Sequence, residues 1–345
     1  MKDMTKGNPT RLILQFAIPL LIGQLFQQVY SLTDTRIVGS FLGENALAAV
    51  GATNSLNSLV IGFLMGMTNG FAIVTARFFG SGDKKSMKKA IAGTVVLSAG
   101  TIVVLTLLSV GFLKPLLRVL NTPENLLPLA CSYFRVILLG MIVTVFYNAC
   151  AATLRAVGDS ITPLIFLLVA TVGNVGLDLL LICVFHMGVA SAACATVFSQ
   201  FISVIMCLVF IKVKYPELVP SREDFSRFLH DSHTFKWMYS TGLSMGFMLS
   251  LVNLGSVVLQ SAINSFGANI IVAHYGINNL GTLVIAGHTA ARKLTELFMM
   301  PYSVLATTMA TYCSQNLGAG KLKRITQGIW RALILSWIWC LLVVL

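Results

Sequence analysis

Two acidic residues of this chain lie where an ionised side chain is costly. Asp34 and Asp178 each interrupt a long apolar run, in a sequence of 345 residues that contains only 12 acidic ones. A carboxylate at the centre of a bilayer costs about 2.5–3.5 kcal/mol on insertion scales. Such a side chain is expected to face a polar cavity, to pair with another group, or to bind a proton or cation. The two acids therefore predict an ion-coupled transporter.

Membrane helices must position these acids. The chain is 56% hydrophobic and only 10% charged, whereas soluble domains are about 25% charged. Its apolar runs are about 20 residues long, as a spanning helix requires, and they lack the alternation of a β-barrel. The composition therefore predicts an all-α, polytopic membrane protein with about nine transmembrane helices. The predicted spans are 12–38, 46–76, 90–113, 130–154, 161–185, 187–211, 237–262, 282–313 and 329–345.

The net charge of +12 does not indicate a nucleic-acid partner, because the basic residues cluster between the apolar runs. The loops after the second, fourth, sixth and eighth spans carry most of the Lys and Arg, as cytoplasmic loops do. This pattern predicts a cytoplasmic N-terminus and a location in the cell inner (cytoplasmic) membrane. The seven cysteines form no CxxC pair and are interpreted as small hydrophobic residues.

The chain contains an internal repeat. Six spans precede a polar connector, which predicts an N-terminal six-helix lobe (1–211), a cytoplasmic linker (212–236) and a C-terminal lobe (237–345). The stretch FFGSGDKKSMKKAI from Phe78 is echoed by NLGAGKLKRITQGI from Asn316. Repeats of this kind mark many secondary transporters. Because two six-helix lobes would need twelve spans, we expect the second lobe to be incomplete and the 345-residue product to be poorly active.

A second echo is local. INSFGANIIVAH from Ile263 recurs as INNLGTLVIAGH from Ile277, 14 residues later. A tandem duplication and a chance similarity between two Gly/Ala-rich loops both account for it.

Four stretches of the chain are similar to one transporter family. They are IPLLIGQLFQQVYSLTDTRIVGSFLGENALAAVG from Ile18, NACAATLRAVGDSITP from Asn148, NVGLDLLLICVF from Asn174 and NLGAG from Asn316. Over essentially its whole length the sequence resembles the MATE family of multidrug and toxin extrusion transporters. The resemblance implies two six-helix lobes around a central cavity. It also implies a monomer surrounded by membrane lipids, which exports cationic or amphipathic drugs in exchange for protons or sodium ions.

The resemblance is to a prokaryotic branch with a polar cluster inside the N-terminal lobe. The matching coupling residues are Tyr30, Asp34, Asn148, Asn174, Asp178 and Thr196, with Pro19 as the helix-bending residue. The spacing of four residues places Tyr30 and Asp34 on one helix face, and likewise Asn174 and Asp178. A further Asn of the pattern is absent because Ala151 stands there. Such oxygens can bind Na⁺, or the two carboxyls can share a proton. The sequence leaves both ions open.

Pro19 marks a bendable point in the first helix, because it has no N–H to donate to the preceding turn. We hypothesise that neutralising Asp34 or Asp178 bends this helix and reshapes the drug cavity. A static kink is the alternative.

Other candidates are less specific. Glu296 could line the cavity, or it could pair with Arg292 one turn earlier. Six methionines could form an adaptable drug surface, or they could simply pack against helices and lipid: Met65, Met67, Met245, Met248, Met299 and Met300. His230 and His233 lie in the linker without further ligands, so no resident metal or cofactor is expected.

Three alternative functions stay open. A lipid-linked oligosaccharide flippase of related fold would show a more cationic central cavity, and few basic residues lie deep in the first six spans. A membrane-embedded enzyme would need a catalytic constellation, and the chain has no Walker motif and no evident catalytic Cys/His pairing. An inactive truncated fragment is the third. The sequence as a whole predicts a non-enzymatic secondary antiporter.

Overall fold

Nine long helices make up most of the part of the chain that the structure describes. The computed structural model describes residues 1–119, 122, 124–275 and 280–344, without the side chains of residues 44, 55, 119, 256, 257, 259–290, 292 and 293. The 14-residue echo falls on these undescribed positions. The long helices are α1 (Pro9–Leu42), α2 (Glu44–Ser81), α3 (Lys84–Gly111), α5 (Leu127–Ala156), α6 (Ile161–Asp178), α7 (Ala190–Lys214), α9 (Ser232–Tyr275), α10 (Leu280–Gly318) and α11 (Leu322–Val344). Short helices α4 (Leu113–Val119) and α8 (Arg222–His230) lie between them.

Each predicted span coincides with one long helix, so the all-α polytopic class is confirmed. Within the described ranges, seven helices are long and apolar enough to cross a membrane. Eight of the nine helices extend past the predicted bounds at one end or both, because hydropathy detects only their apolar middle. Polar caps set their true starts: Asn8 accepts a hydrogen bond from Thr10 N (3.0 Å), and Asp83 accepts one from Ser86 N (3.0 Å).

The predicted linker is more ordered than its composition suggests. Helix α7 ends inside the predicted linker, and α9 begins inside it. Helix α8 lies between them and starts at a capping box of Ser221 and Asp224. Phe228 of α8 is fully buried in a core that α2, α3 and α9 also form. Asp231 pairs with Lys89 of α3 at 2.5 Å and caps the start of α9, and these bonds hold the pKa of its carboxyl well below the usual range. The linker therefore ties α3 to α9.

The two copies of the Gly-small-Gly motif contact each other. Gly80 of α2 lies against the backbone of Gln315, and Gly318 of α10 lies against the backbone of Arg77. In the repeat, Gly318 corresponds to Gly80 and Gln315 to Arg77, so the contact is reciprocal, as at an interface with twofold symmetry. Only a residue without a Cβ atom allows this approach of two helix backbones.

The N-terminal segment closes the end of the bundle where this contact lies. Lys2 N donates to Val157 O after α5 (2.9 Å), and Met4 N donates to Gln315 Oε1 of α10 (2.9 Å). The Gln315 amide in turn donates to Ala156 O (2.8 Å). These bonds join α5 to α10 through the chain terminus. We call this closed side the N-terminal end.

We predict that Gly80→Ala destabilises the protein by about 1–3 kcal/mol, the usual cost of overpacking. The new methyl group would overlap the Gln315 backbone, so α2 and α10 would have to separate. Thermal unfolding in detergent measures the effect. Gly100→Ala is the matched control, since nothing lies within 4 Å of a Cβ atom there and alanine is the better helix former. Equal melting temperatures for the two variants would refute the tight contact.

Candidate functional site

The two acids predicted from the sequence meet in the structure. Asp34 comes from the last third of α1 and Asp178 is the final residue of α6. Their carboxyl groups lie close enough to act on each other directly. Two such carboxyls can hydrogen-bond to each other only when one of them carries a proton. Asp178 is completely buried, and the Oδ1 atoms of both acids are buried without a hydrogen-bond partner among the described residues.

Asn174 holds Asp178 from one turn earlier on α6. Its amide orientation is assigned by matching donors to acceptors. In the matched orientation, the amide nitrogen donates to Asp178 Oδ2 (2.8 Å) and to Tyr30 Oη (3.2 Å), and the amide oxygen accepts from Thr196 N (2.9 Å). The predicted vertical pair on α6 is therefore a direct hydrogen bond, and Asn174 links α6 to both α1 and α7.

Tyr30 and Thr196 extend this network. The Tyr30 hydroxyl lies 3.1 Å from Thr196 Oγ1, and Thr196 Oγ1 donates to Ala192 O of its own helix (3.1 Å). Because the threonine proton is used on Ala192, the tyrosine must be the donor to Thr196. The donors then run in one direction, from the Asn174 amide to Tyr30, then to Thr196 and finally to Ala192. Each of these polar side chains is therefore satisfied.

Sequence reasoning missed two features beside the acids. The α-helical turns of α6 end at Asp178 and continue as a π-helical turn, Leu179–Val184. Such turns are rare and occur frequently at functional sites. The phenol of Tyr133 on α5 is the second feature, since it lies close enough to Asp34 and Asp178 to interact with both electrostatically. Neither feature has a signature in the residue spacing.

Asn148 stands apart from the acids, although the resemblance grouped it with them. Its amide donates to Thr144 O of its own helix (2.9 Å). It lines a cavity of about 120 Å³ together with Pro19 and Arg155. The position of the missing Asn, Ala151, is buried.

Helix α1 connects the cavity to the acids. Gly23 and Gln27 line the cavity, and Tyr30 and Asp34 reach the acid cluster. Residues separated by three or four positions share a helix face, so these four form one stripe along α1. Pro19 lies inside α1 and lines the same cavity. A change at Asp34 can therefore reach the cavity through one continuous helix.

The remaining candidates are dispersed. Glu296 is exposed on α10, and the side chain of Arg292 lies outside the described residues, so their ion pair stays a prediction. Met65 lines the first cavity, and Met245 and Met248 line a second one of about 100 Å³. Met67 is buried in the core, whereas Met299 is exposed. Three of the six methionines therefore lie where they could contact a substrate.

Comparison with known proteins identifies a family. The MatE family model matches residues 19–180 and 256–345. The probable multidrug resistance protein YpnP of Bacillus subtilis (strain 168) is 30% identical over 335 residues, which are 94% of this chain and 68% of the relative. The FAD transporter of Shewanella oneidensis is 26% identical over 328 residues, which cover 92% of this chain and 68% of the relative.

A solved structure has the same fold. It is an outward-facing multidrug resistance MATE family transporter of the MOP superfamily, with a TM-score of 0.85 and 25% identity. The match covers 100% of this chain and 73% of that one.

We predict that Asn174→Ala costs about 1–3 kcal/mol of stability, because it removes a donor from buried Asp178. Asn148→Ala is the matched control: it removes the same amide, which here bonds only to its own helix, and should change stability by less than about 1 kcal/mol. Melting temperatures in detergent at pH 7 compare the two. A larger loss from Asn148→Ala would contradict the assigned network.

Proposed function

The chain belongs to the MatE family, and from this membership we propose that it is a secondary active multidrug exporter. It would exchange a coupling ion for amphipathic small molecules across the membrane. The observation that carries the proposal is the close pair of Asp34 and Asp178 inside an apolar helix bundle. A structural role alone would be met by amides at lower cost, because an acid is more costly to bury.

The proposed coupling ion is the proton. The two acids interact directly, and a shared proton is what makes such a contact favourable. Sodium is the second candidate, since the oxygens of Asp34, Asp178 and Tyr30 are ligands that hard cations accept. The neighbouring amide nitrogen of Asn174 already donates to Asp178, which favours a proton over a metal ion at that carboxylate.

The orientation and lobes are also proposals. Basic residues concentrate at the N-terminal end, in the α2–α3 loop, the α8 region and the α10–α11 loop. This favours a cytoplasmic N-terminal end in the cytoplasmic membrane. Residues 1–211 and 237–345 would form the two lobes of a monomer. Among the residues that the structure describes, Arg155 is the one charged residue that lines either cavity. The preference for cationic drugs therefore rests on the resemblance alone.

We predict that a pH gradient, and not a sodium gradient, drives transport. Everted membrane vesicles with a lumen one pH unit more acidic than the medium should accumulate ethidium up to about tenfold. Exchange of one proton for one monovalent cation moves no net charge, so one pH unit supplies only about 1.4 kcal/mol. Ethidium fluorescence under separate pH and sodium gradients measures the accumulation.

The variants Asp34→Asn and Asp178→Asn should each abolish this accumulation. Asp83→Asn is the matched control, because Asp83 caps α3 in an exposed loop and asparagine caps helices equally well. Full pumping by Asp178→Asn, or pumping driven only by sodium, would rule out the proton proposal.

We predict that Pro19→Ala slows ethidium efflux severalfold while ethidium binding at equilibrium stays unchanged. Alanine restores the hydrogen bond that proline omits and so stiffens α1 between the cavity and Asp34. Pro128→Ala is the control, since Pro128 occupies the first turn of α5, where proline interrupts no bond. Normal efflux by Pro19→Ala would exclude the hinge and favour the alternative, a static kink.

A further inference from the structure

Arg155 carries a positive charge inside the bundle without a matching negative one. It lies in the last turn of α5, and its Nη2 atom donates to Asn69 Oδ1 of α2 (3.2 Å). The nearest acid in sequence, Asp159, is occupied by Thr162 and by the hydroxyl of Tyr215. Over the ranges that the structure describes, no carboxylate pairs with Arg155.

In the described part of the chain, most of the hydrogen-bond donors of Arg155 have no protein partner. A guanidinium stays charged in proteins and offers five N–H donors in a planar fork. One of them has a protein partner here. A buried charge is costly unless it is paired and hydrogen-bonded. The position at the carboxyl end of α5 offsets part of this cost through the helix dipole, so the site stays cationic before any ligand arrives.

The guanidinium lies between two cavities of different character. Arg155, Asn69 and Thr307 line both of them. The first cavity also presents Gln24 and Asn148, whereas the second presents Met245 and Met248. Polar groups therefore adjoin the charge on one side, and adaptable apolar side chains adjoin it on the other. A molecule with an anionic group near an apolar body would match the lining of both cavities.

We propose that Arg155 and Asn69 recognise the oxyanion group, a carboxylate or phosphate, of an amphipathic substrate whose apolar body lies against Met245 and Met248. The planar fork of arginine matches such oxyanions with two parallel hydrogen bonds. Asn69 orients the fork from the opposite helix. This inference rests on the proposed function, because it defines the cargo of the same cavity.

The test uses two fluorescent ligands that differ only in charge. Dansylglycine carries a carboxylate, and dansylglycinamide is its neutral amide. Equilibrium binding to the purified chain in phosphatidylcholine nanodiscs should be about tenfold tighter for dansylglycine. Arg155→Gln should remove this preference, and Arg155→Lys should keep a few-fold preference because it retains the charge. The control Arg222→Gln makes the same change on an exposed arginine of α8 and should leave the tenfold preference unchanged.

Several outcomes would overturn the assignment. Equal affinity of the unmodified chain for the two ligands would do so, and that measurement does not depend on the folding of any variant. An undiminished preference in Arg155→Gln would do so as well. Loss of dansylglycine binding in discs that contain phosphatidylglycerol would assign the site to a lipid headgroup instead of a cargo. Binding needs no ion gradient, so the charge preference stays readable whatever the outcome of the efflux assay.

Discussion

A buried pair of carboxyl groups is the constraint on which the site depends. Asp34 and Asp178 can lie together in an apolar bundle only if a proton or a cation offsets their charge. Polar side chains on the neighbouring helices hydrogen-bond around the two acids. Asn174 donates to Asp178 and to Tyr30, and it accepts from the backbone of Thr196. Tyr30 and Thr196 also hydrogen-bond to each other. These bonds join α1, α6 and α7. Removing that proton or cation would leave two carboxylates that repel each other where these helices meet.

Under the proposed coupling, a change in the protonation of this pair would act along α1. Its N-terminal part is fixed, because Ile13 and Phe16 are buried against Tyr312 of α10. Its far part carries Asp34, which is fifteen residues beyond Pro19, or about 22 Å along a helix. Between the fixed part and the acid lies the proline, where the helix has one hydrogen bond fewer. Bending at this point would change the wall of the cavity without disturbing the closed N-terminal end.

Much of this could be predicted from the sequence. Nine apolar runs gave nine helices because length and hydropathy suffice for membrane spans. The pairs Tyr30/Asp34 and Asn174/Asp178 were correctly placed because a helix fixes which residues share a face. The position of Asn148 could not be inferred, since the sequence does not say which neighbouring helix each helix face meets. Arg155 was overlooked for the same reason: in the sequence it ends a span beside a loop, and only the packing of α5 against α2 turns it inward.

The inward arginine changes the energetics of coupling. Exchange of an entering proton for a leaving monovalent cation is electroneutral, so the membrane potential contributes nothing. If the cargo instead leaves as a monovalent anion, both movements carry positive charge inward, and the potential contributes about twice 2.3 kcal/mol per 100 mV. A single shared proton at Asp34 and Asp178 would then suffice for strong accumulation, even without a pH gradient. Arg155 lines the cavity, and the two acids lie at the other end of the α1 stripe. An anionic cargo at Arg155 and a proton at the acids would therefore bind at separate sites.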